Sequence, residues 1–186
     1  MDKTMGLQQE HDLILRGTIA LERCAGRLGA PGGAEPAELA RLATLLDFFR
    51  EFVDGRHHAK EEGVLVPGLL AAGIAPDSED LARIAAEHTR SRELLARATA
   101  HDKAAMLAAI PVYTEFLREH ALLEERVLFP LVDRALDAAA KARVQEEFDR
   151  IDVRHGGAEA VARYESRIEA LMAPTSVLDP KPKHPW

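Results

Sequence analysis

The chain has a single cysteine among its 186 residues, Cys24, so no disulfide can form within it. That absence fits a reducing compartment. No stretch reaches the ~20 apolar residues that a membrane span requires. The opening residues, "MDKTMGLQQEHDL", lack the continuous apolar segment of a signal peptide. A cytoplasmic protein is the expectation. There is no long basic run, and the net charge is −7, which argues against nucleic acid and anionic membrane as partners. Alternating β-branched runs are scarce, so a sheet has little to form from. Neither an HExxH pair nor a cysteine cluster occurs, which removes the common zinc motifs.

What is present is helix-forming. Ala, Leu, Glu and Arg dominate, hydrophobic residues make up 47% and charged residues 30%, a globular composition. The apolar spacing predicts helices over about 5–28, 36–70, 79–100, 104–136, 138–149 and 158–172. Gly29 to Pro36 breaks the first from the second, and Asp77 or Ser78 can cap the third. Pro67 is expected to kink or end its helix, and Pro111 and Pro130 to kink theirs. These elements predict an all-α fold. It is an antiparallel up-down-up-down four-helix bundle with additional C-terminal helices. One domain is expected over 1–172, with its core bundle at about 5–136 and its C-terminal helices at 138–172. A disordered proline-rich tail follows at 173–186.

One pattern occurs twice. Residues 57–67 read "HHAKEEGVLVP" and residues 120–130 read "HALLEERVLFP". With Pro67 set against Pro130, His57 matches His120, Glu61 matches Glu124 and Glu62 matches Glu125. His58 matches only Ala121. The repeated unit is therefore His57-x-x-x-Glu61 and His120-x-x-x-Glu124.

Residues four apart share a helix face. Both pairs continue apolar rows, Phe49–Val53 in one helix and Phe116–Val127 in the other, so they point inward. Buried carboxylates without partners are very costly, and a metal ion is one remedy. The first and third helices each add a histidine, His11 and His88. Each half of the chain then reads as one histidine followed by H-x-x-x-E. Four imidazoles, two bridging carboxylates and one bridging oxo or hydroxo group supply ten bonds, five to each of two metals. Imidazole with carboxylate suits iron, and also zinc or manganese. Ferritin-like sites are different, because they use E-x-x-H pairs and further glutamates.

The set His11, His57, Glu61, His88, His120 and Glu124 resembles the hemerythrin-like family of HHE-type cation-binding domains. The text around the repeats is similar to its bacterial members. The resemblance covers about residues 5–136. It implies a four-helix bundle with those six residues as ligands of two iron ions joined by an oxo or hydroxo bridge. It further implies binding of small oxygen or nitrogen species (O2, peroxide or NO), in oxidative or nitrosative stress or in iron or oxygen sensing. The alternative is a di-iron peroxidase or catalase-like enzyme that decomposes hydrogen peroxide. The oligomeric state, monomer or weak homodimer, is not legible in the sequence.

One position departs from the pattern. Oxygen-carrying hemerythrins have a second histidine four residues after the third-helix ligand, where this chain has Arg92. One iron is then expected to lack an imidazole and to be more open, which favours peroxide or NO chemistry. Tyr113, seven residues before His120, and Tyr164 on the last helix are candidates to fill the gap. His58, one residue off the row, is read as exposed or as lying behind the ligands, with a place as an extra ligand as the alternative. Glu62 and Glu125 are read as exposed or as lying behind the ligands. Glu10 and Glu87 could bond a ligand's outer N–H, but they and Lys60 are read as helix surface. Cys24 is read as a small buried residue. His101, His155 and His184 are read as bystanders.

Overall fold

The computed structural model describes residues 5–31 and 36–172; the expected tail at 173–186 lies outside them. Helix α1 spans Met5–Gly29. Its residues Leu7, Ile14, Leu21 and Leu28 are all buried. Their seven-residue spacing makes the narrow stripe that faces neighbours in a bundle. Helix α2 (Pro36–Phe48) begins on a proline, which lacks only a donor that the first turn leaves unpaired anyway. It runs on through π-helical stretches at Phe49–His58 and Glu61–Leu65 into α3 (Val66–Ala71). Helix α4 (Glu79–Ala98) starts at Ser78, whose hydroxyl accepts from the Leu81 amide, so Ser78 and not Asp77 is the cap. Helix α5 (Lys103–Leu123), capped by Asp102, passes through Pro111 and continues through a π-helical stretch at Glu124–Leu128 into α6 (Phe129–Ala135).

Pro67 does not end its helix, one of the two outcomes expected of it, and the helix at Pro130 also runs on. In each case the preceding turn widens. The Val66 amide bonds to the Glu61 carbonyl and the Phe129 amide to the Glu124 carbonyl, five residues back. A proline ring crowds the carbonyl four residues before it, and a wider turn relieves that conflict without breaking the rod. The widened turns begin at Glu61 and Glu124 themselves.

The four rods close into a ring: α1 packs on α2 and α5, and α4 packs on α5 and on the π stretch after α2. Contacts run in opposite senses along neighbours. Arg27 near the end of α1 meets Glu38 near the start of α2, while Glu10 near its start meets Lys60. The bundle is thus antiparallel, as expected. Gly17 permits the close approach of α1, because a Cβ there would lie 2.7 Å from the Phe48 ring. Helix α7 (Ala138–Arg154) reaches five residues beyond its expected end and packs on the Glu61–Leu65 stretch. Helix α8 (Gly157–Met172) lies on α1 and α2. Gly156, at φ 83°, turns the chain between them with the left-handed backbone that glycine allows.

The apolar interior is divided. One cluster holds Leu13, Leu21, Phe48, Phe49, Phe52, Leu94 and Tyr113. The other holds Leu7, Leu65, Leu69, Ile84, Leu128 and Phe129. Between them lies a layer of buried polar side chains. No helix among the described residues is long and apolar enough to cross a membrane.

Candidate metal centre

The polar layer brings together His11, His57, Glu61, His88, His120 and Glu124, all buried. Their donor atoms fall into two groups that share the carboxylates. His11, His57, Glu61 and Glu124 form one, and Glu61, His88, His120 and Glu124 form the other. Within each, the donors lie within 4.8 Å of one another. Glu124 divides its oxygens: Oε2 is 3.0 Å from His11 Nε2, and Oε1 is 2.9 Å from His120 Nε2 and 3.3 Å from His88 Nε2. Glu61 divides likewise, with Oε1 3.8 Å from His57 Nε2 and Oε2 3.2 Å from His88 Nε2. A carboxylate with one oxygen toward each group is arranged to bridge two cations.

The outer edges of the imidazoles determine what the inner edges offer. His57 Nδ1 donates to Glu10 at 3.0 Å, His88 Nδ1 to Glu62 at 2.8 Å, His120 Nδ1 to Glu87 at 2.9 Å and His11 Nδ1 to Glu125 at 3.2 Å. An ionised carboxylate only accepts, so each Nδ1 carries the proton and each Nε2 presents a lone pair inward. His11 Nε2 and His57 Nε2 then face each other at 3.1 Å. Both Glu61 oxygens and His120 Nε2 have no hydrogen-bond partner of good geometry. Lone pairs converging on carboxylate oxygens in a buried layer repel unless a cation, metal or proton, sits among them. The residues present therefore fit a pair of metal ions.

Without metal, protons serve as the cations. For His57, burial opposes the charged form, but the charge of Glu61 and bonds to Glu10 and Glu124 raise its pKa to about 10. His88 rises to about 9 and His120 to about 8, against burial, through bonds to Glu124 and to Glu61 or Glu87. Glu124 is held well below the carboxylate range despite its burial, because four histidines bond to it. Glu10 falls to about 2, where its bond to His57 and the charges of His57 and Lys60 overcome burial.

Position 92 resolves unexpectedly. Arg92 turns outward to Asp54, at 2.6 Å, and to Glu62, at 2.8 Å. His58, from the rod across the site, takes up the space beside His88. It is fully buried, stacks on His88 with centroids 4.1 Å apart, and forms a third donor group with His88 and His120. Neither of its ring nitrogens has a good hydrogen-bond partner; Asp54 lies 3.5 Å from Nδ1. Burial, helped by its neighbouring histidines, lowers its pKa to about 3, so it is a neutral imidazole with a free lone pair.

The tyrosines are placed differently. Tyr113 is fully buried, edge-on to Phe49, with Ser91 beside its hydroxyl, and burial raises its pKa. Tyr164 is partly buried against Phe48 and Phe52.

Sequence reading placed Glu10 and Glu87 on the helix surface, yet each bonds a histidine of the layer. A signal was present: "EH" occurs at 10–11 and 87–88, as "EE" does at 61–62 and 124–125. Lys60, also read as surface, is only 3% exposed, held by Glu10 and Asp152. Cys24 is buried as expected; burial and the nearby Glu38 raise its thiol pKa to about 11, which leaves it unreactive.

A family model described as the hemerythrin HHE cation binding domain matches residues 6–132. No curated protein and no solved structure matches the chain.

Proposed function

The chain belongs to the hemerythrin HHE cation-binding family, and from that membership we propose that it holds two iron ions in the polar layer and binds small oxygen or nitrogen species there. His11 and His57 would hold the first ion and His88 and His120 the second, with Glu61 and Glu124 facing both; His58, grouped with His88 and His120, would be a further donor to the second. The observation that carries this reading is the division of the two carboxylates between two groups of inward-facing imidazoles. Bound there, the iron pair supplies one-electron redox chemistry and a Lewis-acid place for a small ligand.

The chain supplies the rest. Glu10, Glu62, Glu87 and Glu125 hold four imidazoles with their protons outward. The two apolar clusters close the layer on both sides and keep bulk water away. Phe129 lies over His11 and Phe116 over His120, which steadies the rings. With His58 counted, the second ion has one more protein donor than the first. The open place therefore falls on the His11 and His57 side. Peroxide and NO chemistry were both expected from the imidazole missing at Arg92, and a donor at His58 would narrow that gap for both. Binding of O2, peroxide or NO is the reading carried forward, with a peroxidase or catalase-like enzyme as the alternative.

The test is optical. The protein is loaded anaerobically with Fe(II), air is admitted, and iron is counted per chain. Two irons with a visible band that disappears on degassing are expected. Immediate oxidation without a reversible band, together with turnover of added hydrogen peroxide, would favour the enzyme instead.

A further inference from the structure

The carboxylates behind the histidines are not equivalent. Glu87 is bonded by Arg83 and Glu62 by Arg92, both exposed cations of the bundle, and Glu125 is itself exposed. Glu10 is different. It is buried between two buried cations: Lys60 Nζ donates to it at 2.6 Å, and Arg56 Nε lies 3.4 Å away. Both cations also reach Asp152 on α7, Lys60 at 2.5 Å and Arg56 at 2.9 Å. Phe148, one turn earlier on α7, lies under the Lys60 ammonium. The group is neutral as a whole, two carboxylates against two cations. Asp152 lies beyond the residues matched by the family model. At 27% exposure it faces the open cleft of about 400 Å³ lined by Gln9, Gln145 and Glu165.

We propose that Asp152 is a positioning residue for the first metal position, acting through Lys60 and Arg56 on Glu10 and through Glu10 on His57. This rests on the two-ion reading above. With Asp152 present, each cation is shared between two carboxylates, and Glu10 keeps its acceptor strength toward His57. Without it, two buried cations converge on Glu10 alone. The region gains net positive charge one residue from a metal site, and Glu10 holds the imidazole less firmly. By linkage, an ion in the first position tightens the docking of α7. Helix α7 thereby becomes part of the metal centre although it supplies no ligand.

The probe is Fe(II), added anaerobically to the full chain against a competing chelator, with amide exchange of α7 followed with and without iron. Asp152→Asn is expected to weaken one of the two Fe(II) affinities by roughly tenfold and leave the other unchanged. Glu147→Gln, an equal charge change on the exposed side of α7, is expected to alter neither, and Asp152→Glu to restore much of the loss. In the unaltered protein, iron should slow exchange across α7. Unchanged affinities in Asp152→Asn would overturn the proposal, as would an equal loss at both positions. If the variant fails to fold, exchange in the unaltered protein decides: α7 amides indifferent to iron refute it. Fewer than two irons in the unaltered protein would instead sink the two-ion reading.

Discussion

The His57-x-x-x-Glu61 unit and the His120-x-x-x-Glu124 unit share a pattern, a widened turn and a proline, but they sit in different surroundings. The residue after the histidine is His58 in one and Ala121 in the other. His58 crosses to the partner half and stacks on His88; Ala121 only packs. Behind His57 stands the buried Glu10, held by two cations and by α7. Behind His120 stands Glu87, held by an exposed arginine. A duplicated unit thus gives two similar inner layers, while the outer layer makes the two positions unequal. One donor group has a third imidazole beside it; the other has the more deeply buried carboxylate behind it.

The largest effect should come from what the halves share. Glu124→Gln keeps the shape but turns an amide nitrogen without a usable lone pair toward one group and a neutral amide oxygen toward the other. Iron per chain is expected to fall from two toward zero. Retention of one tightly held iron would mean that Glu124 serves one position only.

Next comes what only one half has. His58→Leu should weaken the second ion alone, by more than the roughly 10–100-fold that losing an outer hydrogen bond costs. The first ion should bind as before. Iron titration reads both, and unchanged stoichiometry and affinity would return His58 to the role of a packed, neutral histidine.

The metal-free protein gives a pH test. His57, His88 and His120 hold protons up to about 10, 9 and 8, against 6.5 when unfolded. Between pH 6.5 and 10 the native state therefore binds more protons than the unfolded chain, and stability falls as pH rises. Below 6.5 that contribution is complete. His58, lowered to about 3, acts oppositely: its contribution is complete above 6.5 and lost as pH falls toward 3. The Tm of the metal-free protein should decline from pH 7 to 10, and iron uptake at pH 7 should release protons. A Tm that rises over that interval would contradict the proton-filled layer.

The smallest effect is expected at Tyr164. Tyr164→Phe should leave iron per chain unchanged and shift stability by less than ~1 kcal/mol, since the ring keeps its packing on Phe48 and Phe52. Loss of iron would make it a ligand.

The helices were legible because their signals are local: the seven-residue stripe of α1, the cap at Ser78, the proline at the head of α2. The six residues of the layer were legible because spacing and duplication placed them on inward faces. The widened turns were not anticipated, since proline alone suggests a kink and the relief depends on the rod continuing. The roles of His58 and Glu10 were left undecided for another reason. Each sits one residue beside the obvious row, and one residue on a helix is about 100° of rotation. Whether such a residue faces solvent or a neighbouring helix depends on that neighbour.

By itself, the sequence determined the helical class, the repeated unit and the donors that converge, because periodicity along one helix decides which side chains share a face. Tertiary structure alone decided the third imidazole beside His88 and the carboxylate behind each histidine. It also decided the anchoring of the first position by α7. Those are meetings between distant parts of the chain: Glu10 with Lys60 across 50 positions, Arg56 with Asp152 across 96, His11 with Glu125 across 114. No local spacing encodes them; only the packing of rods against one another brings those charges within reach.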